Sequence, residues 1–230
     1  MKPIAISAIH QFHEKNNAIL TQVNGWMMPK RYASVEDELG IIENFVGIHD
    51  ISSKAKLIVH GDGFFGVLSE KFEVISELNH KVMFMRSFKY GFELILATLT
   101  NNQYLVITAP EFKNAVTEIC DRSDFVDISS GLTGIRLIGP KARDIIYGIS
   151  SFDVRDKNFP DLSVAQISVM HQHAYLLRMD IQDKLCYDIF IAREIGLFVW
   201  NQIMIVGNSL GIAPIGTELM DGIVTDGVAP

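Results

Sequence analysis

The chain has 230 residues, of which 48% are hydrophobic and 20% charged, a composition that allows a buried core and argues against a disordered protein. Its 20 basic and 27 acidic residues give a formal net charge of −7. Because the basic residues form no cluster, the sequence argues against nucleic-acid binding, which needs a cationic face for the phosphates.

Membrane and secreted proteins are also poor matches for this sequence. No stretch reaches the ~18 uncharged apolar residues of a membrane span. The two cysteines, Cys120 and Cys186, are too few for a disulfide framework and fit a reducing compartment. We therefore expect a cytoplasmic protein with no membrane partner.

Residues 1–45 form an N-terminal segment that precedes a longer pattern. Residues 10–15 resemble the start of a helix, and residues 25–29 indicate a loop that carries Trp26. Acidic and apolar residues recur at helical spacing over residues 35–45. This spacing predicts an amphipathic helix at the end of the segment.

The chain then repeats itself, since Asp50-Ile-Ser-Ser53 recurs as Asp127-Ile-Ser-Ser130. An alternating apolar stretch, a turn at Gly61 or Gly139 and an amphipathic stretch follow each copy, which predicts a strand, a turn and a helix. Each copy continues with a predicted hairpin and a second helix. These stretches are 92–99, 104–109 and 110–119 in the first copy, and 175–180, 187–192 and 193–206 in the second.

This order predicts an α+β fold of two duplicated β-α-β-β-α units with mostly antiparallel sheets, over residues 46–120 and 121–206. We expect the units to superpose, with Asp50 and Asp127 in equivalent places and a site between the two units. Residues 207–230 are rich in glycine, which predicts an irregular C-terminal tail.

Most motifs of metal or nucleophilic chemistry are missing. His171 and His173 would share one face of a strand, but no Cys-x-x-Cys or His-Glu-x-x-His accompanies them, so we predict no metal site. No Gly-x-Ser-x-Gly elbow is present, and both cysteines have the surroundings of packing residues.

Two carboxylates are more informative, because each interrupts an apolar strand. Glu93 and Asp188 lie on predicted hairpin strands of opposite units. A carboxylate on a buried face serves as a general acid or binds the amide edge of a heterocycle. The alternative is that each side chain points outward on an alternating strand.

Several motifs together carry a resemblance to a known family. They are Gly25-Trp-Met-Met-Pro29, Tyr32, His49-Asp-Ile-Ser-Ser53, Leu137-Ile-Gly-Pro140 and Tyr187-Asp-Ile-Phe-Ile191. In their order and spacing the chain resembles the aminomethyltransferase family, the T-protein of glycine cleavage. Residues 124–210 also resemble the gamma subunit of sarcosine oxidase, through Gly139-Pro140, Phe152-Asp-Val-Arg155, Phe159-Pro160 and the run from Tyr187 to Trp200.

The resemblance implies a folate-binding fold and a one-carbon transfer from an aminomethyl group on a lipoyl carrier protein. Tetrahydrofolate would bind between the two units, and the residues expected to contact it are Trp26, Val106, Thr108, Tyr187 and Asp188. The family's catalytic aspartate has no counterpart here, and Glu93 is the nearest substitute. Met220 stands at the position of a family arginine.

Two functions follow from this resemblance. The first is one-carbon transfer by an aminomethyltransferase-family protein whose key catalytic residues are lost. The alternative is a non-catalytic folate-fold subunit for binding or assembly, with an oxidase subunit as its partner. We also expect the C-terminal barrel of larger family members to be absent.

Overall fold

The computed structural model describes residues 4–76, 80–119 and 124–226. The strands are β1 (Ala5–Ile6), β2 (Ile19–Val23), β3 (Trp26–Arg31), β4 (Val46–Asp50), β5 (Ala55–His60), β6 (Phe72–Val74), β7 (Val82–Ser87), β8 (Glu93–Thr100), β9 (Gln103–Thr108), β10 (Asp124–Asp127), β11 (Leu132–Ile138), β12 (Ser163–Val169), β13 (Gln172–Arg178), β14 (Cys186–Ala192) and β15 (Ile212–Pro214). The helices are α1 (His10–Lys15), α2 (Val35–Asn44), α3 (Phe64–Ser69), α4 (Lys113–Ile119), α5 (Ala142–Ile149), α6 (Gly196–Gly207) and α7 (Thr217–Asp226).

Two six-stranded sheets dominate the fold. Sheet I has the order β10-β5-β9-β8-β7-β6, and sheet II has the order β12-β13-β14-β11-β4-β15. Neighbouring strands in both are antiparallel except β15 with β4. The predicted α+β class with mostly antiparallel sheets is confirmed.

The two units exchange their first strands. β4, from the first unit, pairs with β11 of the second, and β10, from the second, pairs with β5 of the first. Each sheet is therefore built from both units, and residues 46–120 and 121–206 do not each form a separate sheet. Sequence similarity finds the units but does not identify this exchange, because strand partners are distant along the chain.

Asp50 and Asp127 occupy equivalent places in this exchange. Each ends the exchanged strand, and its Oδ1 accepts the backbone N–H two residues later, at 2.9 Å in both cases. The backbone N–H of Ile51 donates to the Gly134 carbonyl, and that of Ile128 donates to the Lys56 carbonyl. The two repeated motifs thus make reciprocal contacts across the junction.

The core lies in layers set by strand alternation. One apolar cluster lies between sheet I and helices α3 and α4, and another lies between sheet II and helices α5 and α6. A third contains residues of both sheets, among them Leu105 and Phe190, and joins the sheets face to face. Helix α5 shows why these layers form, because its buried residues recur at helical spacing: Ala142, Ile145, Ile146 and Ile149.

Two further regions position the rest of the chain. The N-terminal segment forms a small sheet, β1-β3-β2, and the predicted helix over 35–45 is present as α2, with Ser34 accepting the N–H of Asp37 as its N-cap. The prediction of an irregular tail is wrong for residues 207–226, since β15 adds to sheet II and α7 packs on α2 and β3. Residues 227–230 of the predicted tail lie outside the described residues. Within the described residues, no helix combines the length and hydrophobicity of a membrane span.

Candidate functional site

A cavity of about 1000 Å³ lies between the two sheets. Its apolar lining includes Phe84, Ile95 and Ile107 from sheet I, and Met179 after β13. Its polar lining includes Lys54, Glu93, Thr108, Arg136 and Asp188. Apolar walls with a few fixed polar groups are typical of small-molecule sites, and this cavity has the volume of one.

A charged pair forms part of the cavity wall. The Arg136 guanidinium donates from Nε to Asp188 Oδ1 at 2.7 Å and from Nη2 to Oδ2 at 2.8 Å. The two residues face each other on β11 and β14. The Asp188 side chain is 2% exposed and that of Arg136 is 13% exposed. Burial opposes the charge on Arg136, but the carboxylate of Asp188 more than compensates and raises the Arg136 pKa.

His49 extends the same row across sheet II, because it lies opposite Arg136 on β4. Its Nδ1 donates to the Ile215 carbonyl at 3.1 Å, which ties β4 to the chain before α7. Burial lowers the pKa of His49 to about 4, and the charge of Arg136 acts in the same direction. His49 is therefore neutral at physiological pH and adds no charge to the row.

Glu93 lies at the cavity but already has a cationic partner. Its Oε1 accepts from Arg86 Nε at 3.1 Å and from Nη2 at 2.7 Å, across β7 and β8. Both side chains are more than a third exposed. The Glu93 carboxylate is thus already engaged in a structural contact with the neighbouring strand.

Thr108 contributes to the lining at the end of β9. Its hydroxyl donates to the Glu93 backbone carbonyl at 3.0 Å. Two predicted site residues of sheet I, Glu93 and Thr108, are thus joined at the cavity, where Asp188 of sheet II also lies.

Three other predicted folate contacts do not line the cavity. Val106 is buried on the helix-facing side of sheet I, and Tyr187 is buried on the helix-facing side of sheet II, where its ring stacks on Phe159. Neither side chain reaches the cavity, because alternate strand residues point to opposite faces of a sheet. Trp26 lies on β3 beneath the Arg193 guanidinium, 5.9 Å from its ring centroid.

Sequence reasoning missed Arg136, although its signal was of the same kind as that of Asp188. Both are charged residues that interrupt an apolar strand. Lys54 was also missed. It is exposed as a residue, yet desolvation of its amine by surrounding protein atoms, with the charge of Arg136, lowers the Lys54 pKa.

Two residues of the motifs that carry the family resemblance, Tyr32 and Asp50, form a hydrogen-bonded cluster with His13. His13 Nε2 is 2.9 Å from Asp50 Oδ2, and its Nδ1 is 2.5 Å from the Tyr32 hydroxyl. Burial by itself would raise the Asp50 pKa. The hydrogen bond to His13 and the other hydrogen bonds to the carboxylate have a larger effect, so the Asp50 pKa is lowered. The contact between His13 and Asp50 therefore holds the N-terminal segment on the first unit, and Tyr32 holds His13 within the segment. Neither Asp50 nor Tyr32 lines the cavity.

The remaining candidates add no further chemistry. Among the described residues no group of three or more His, Cys, Asp or Glu side chains could hold a metal ion. Cys186 is buried, and that burial raises its pKa, which fits an inert packing thiol. Cys120 lies outside the described residues.

Comparisons with known proteins match this architecture. The family model of the GCVT N-terminal domain matches residues 9–226. An aminomethyltransferase of Halothermothrix orenii is 22% identical to this chain, over 93% of this chain and 62% of the relative. A sarcosine oxidase subunit alpha of a Corynebacterium species is also 22% identical, over 96% of this chain and 26% of the relative. The crystal structure of the glycine cleavage system aminomethyltransferase T from Bartonella henselae matches with a TM-score of 0.76 and 16% identity, over 96% of this chain and 62% of that one. The chain thus spans about three fifths of the length of such aminomethyltransferases.

Proposed function

The chain belongs to the GCVT N-terminal domain family, and from this premise we propose that it binds a folate-type heterocycle in the cavity between its two sheets. The cavity volume of about 1000 Å³ suits a ligand of that size. Its walls come from both units, and the family resemblance implies that tetrahydrofolate binds between these units. Aliphatic and aromatic side chains would cover the faces of a flat ring, among them Phe84, Ile95 and Ile107.

One observation carries the proposal: a charged pair, Arg136 with Asp188, stands in the cavity wall beside apolar side chains. Removing two charges from water is costly, and a buried pair of this kind is often no more stabilising than apolar residues of the same size. The pair is therefore better explained by recognition of a ligand than by the stability of the fold.

For the chemical step we propose that one-carbon transfer by this chain is weak. Glu93, the nearest substitute for the family's catalytic aspartate, is bound to Arg86. Met220, at the position of the family arginine, is buried in an apolar cluster between α7, α2 and sheet II and offers no hydrogen-bond donor. Positioned acid–base help is worth ~10²–10⁴ in rate, and this site supplies little of it.

A role as an assembly subunit is the second candidate, and a specific feature favours it. Phe198 and Ile205 are 55% and 67% exposed on helix α6. These two apolar side chains lie on the exposed face of α6, seven residues apart. A relative matched over 96% of this chain is named as a subunit of sarcosine oxidase. Sedimentation of the chain with an oxidase subunit would test this candidate directly.

Isothermal titration calorimetry with tetrahydrofolate tests the ligand proposal. We expect saturable binding by the native chain and a loss of at least about 10-fold in affinity for Ile95→Trp, which fills the cavity. Ile205→Trp is the matched control, because it makes the same change on the exposed face of α6. Binding that is equal in all three proteins, or absent from the native chain, would overturn the proposal.

A further inference from the structure

We infer that Arg136 determines which edge of the heterocycle the cavity accepts. Because Arg136 is paired with Asp188, this part of the wall offers hydrogen-bond donors in place of an acceptor. The ligand would therefore face Arg136 with a carbonyl oxygen or another neutral acceptor. The inference rests on the proposed function, and it adds the residue that sets specificity and the ligand group that this residue selects.

Arg136 takes up much of the hydrogen-bonding capacity of the Asp188 carboxylate. Each of its oxygens already accepts one charged N–H, at 2.7 and 2.8 Å. Only 2% of the side chain is exposed. A ring edge that offers N–H donors therefore finds a weaker acceptor at Asp188 than a free carboxylate would provide.

Arg136 has donors to spare at the same place. A guanidinium carries five N–H groups, of which the pair with Asp188 uses two. No acceptor among the described residues binds the other three, on Nη1 and Nη2. The side chain is 13% exposed and lines the cavity, so these donors are available to a ligand.

The charges around the cavity favour a neutral acceptor over an anion. Asp188 balances Arg136, and Lys54 is the other cation of the lining among the described residues. Asp161, Asp180 and Asp183 also contribute to the lining, and of these Asp180 is paired with Arg178. The remaining carboxylates would repel a free anion, whereas a carbonyl oxygen takes a charge-assisted hydrogen bond from Arg136 without that cost.

A pair of ligands that differ in one group tests the inference. Folic acid carries a carbonyl oxygen on its pterin ring, and aminopterin carries an amino group in its place. A hydrogen bond to a charged group contributes ~1.5–3 kcal/mol, or roughly 10- to 150-fold in affinity. We expect the native chain to bind folic acid more tightly than aminopterin by at least about 10-fold. The amino group of aminopterin is a donor and cannot accept a hydrogen bond from the Arg136 guanidinium.

Variants of the pair make the assignment to Arg136 specific. Arg136→Met leaves Asp188 unpaired and should favour aminopterin, whose amino group can then donate to the carboxylate. Since a buried unpaired charge can prevent folding, Arg136→Met/Asp188→Leu provides a second variant, in which the two ligands should bind equally. Arg155→Met, at a surface arginine paired with Asp153, is the control that should keep the native preference.

The outcomes separate this inference from the function on which it rests. A preference for folic acid that persists in the double variant, or equal binding of the two ligands by the native chain, overturns the role of Arg136 while folate-type binding stands. No binding of either ligand, together with no binding of tetrahydrofolate, overturns both.

Discussion

At the residue scale, Lys56 is the most unusual buried group of the junction between the units. Its side chain is fully buried, and its Nζ donates to the carbonyls of Ser52 at 2.9 Å and Leu132 at 3.2 Å. The ammonium also lies 5.9 Å from the Phe190 ring centroid. Burial lowers the pKa of Lys56 to about 8, because two carbonyls replace the water that would solvate the charge.

This shift predicts a pH-dependent contribution to stability. The unfolded lysine keeps its proton up to its ordinary pKa of 10.5, and the folded one loses it near 8, so between these values the unfolded state binds more protons. The free energy of unfolding should therefore rise with pH across this window, by roughly 3 kcal/mol in total. Urea unfolding of the native chain and of Lys56→Met isolates the effect, and a difference between them that is independent of pH would contradict it.

Glu93 yields a prediction about catalysis. Its carboxylate is bound to Arg86 on the adjacent strand, so we do not expect it to act on a substrate in the cavity. We expect Glu93→Gln to leave weak folate-dependent one-carbon transfer within about 2-fold of the native chain, against the ~10²–10⁴ loss expected on removal of a general acid. Robust native transfer that disappears in Glu93→Gln would instead make Glu93 the catalytic acid.

These residues also mark how far the sequence could predict the site. A charge in an apolar strand identified Glu93 and Asp188, and the structure brings both to the cavity. The sequence could not show that one is held by Arg86 on the adjacent strand and the other by Arg136, 52 residues away. Val106 shows a second limit, because alternation gives the two faces of a strand but does not say which one borders a cavity.

At the element scale, two serines stabilise the exchanged strands in matching ways. The Ser52 hydroxyl accepts the backbone N–H of Gly134 at 3.1 Å, and the Ser129 hydroxyl accepts that of Lys56 at 3.0 Å. Ser52 is buried and Ser129 is partly exposed. The repeated motif therefore supplies each junction with a side-chain acceptor for a strand of the other unit.

The difference in burial predicts unequal effects of alanine substitution. Ser52→Ala leaves a buried N–H without an acceptor and should cost about 1–3 kcal/mol, whereas water can replace the hydroxyl in Ser129→Ala, which should cost about 1 kcal/mol or less. Ser53→Ala is the adjacent control, because no hydrogen bond is seen for that hydroxyl within the described chain. Equal losses for Ser52→Ala and Ser53→Ala in urea unfolding would contradict the role of the junction.

The elements themselves were largely predictable, and their pairing was not. Periodicity located the helices α2 and α6 and the hairpin strands β8, β9, β13 and β14, because these signals are local. The tail was misjudged for a physical reason. β15 is three residues long and forms through its pairing with β4, so its own sequence carries little of the signal.

At the scale of the whole molecule, the strand exchange makes the two sheets depend on each other. Each sheet takes a strand from both units, and the third apolar cluster is shared between the sheets. The cavity lies at the same interface, so the walls that would bind a ligand are held by the contacts that join the units. The family resemblance in the sequence predicted the fold class and a site between two units, but not the strand exchange. The structural match to an aminomethyltransferase supports the fold.

This dependence predicts a single unfolding transition for the chain. Leu105 is fully buried between the sheets, and Leu105→Ala should destabilise the protein by about 2–5 kcal/mol through the cavity it leaves. If the sheets unfold together, differential scanning calorimetry should show one peak for both proteins, shifted to lower temperature in the variant, with equal calorimetric and van't Hoff enthalpies. If the sheets were independent, weakening their interface would split the peak in two, because each sheet would then melt at its own temperature. Two resolved transitions in Leu105→Ala would therefore show that the exchanged strands do not couple the units.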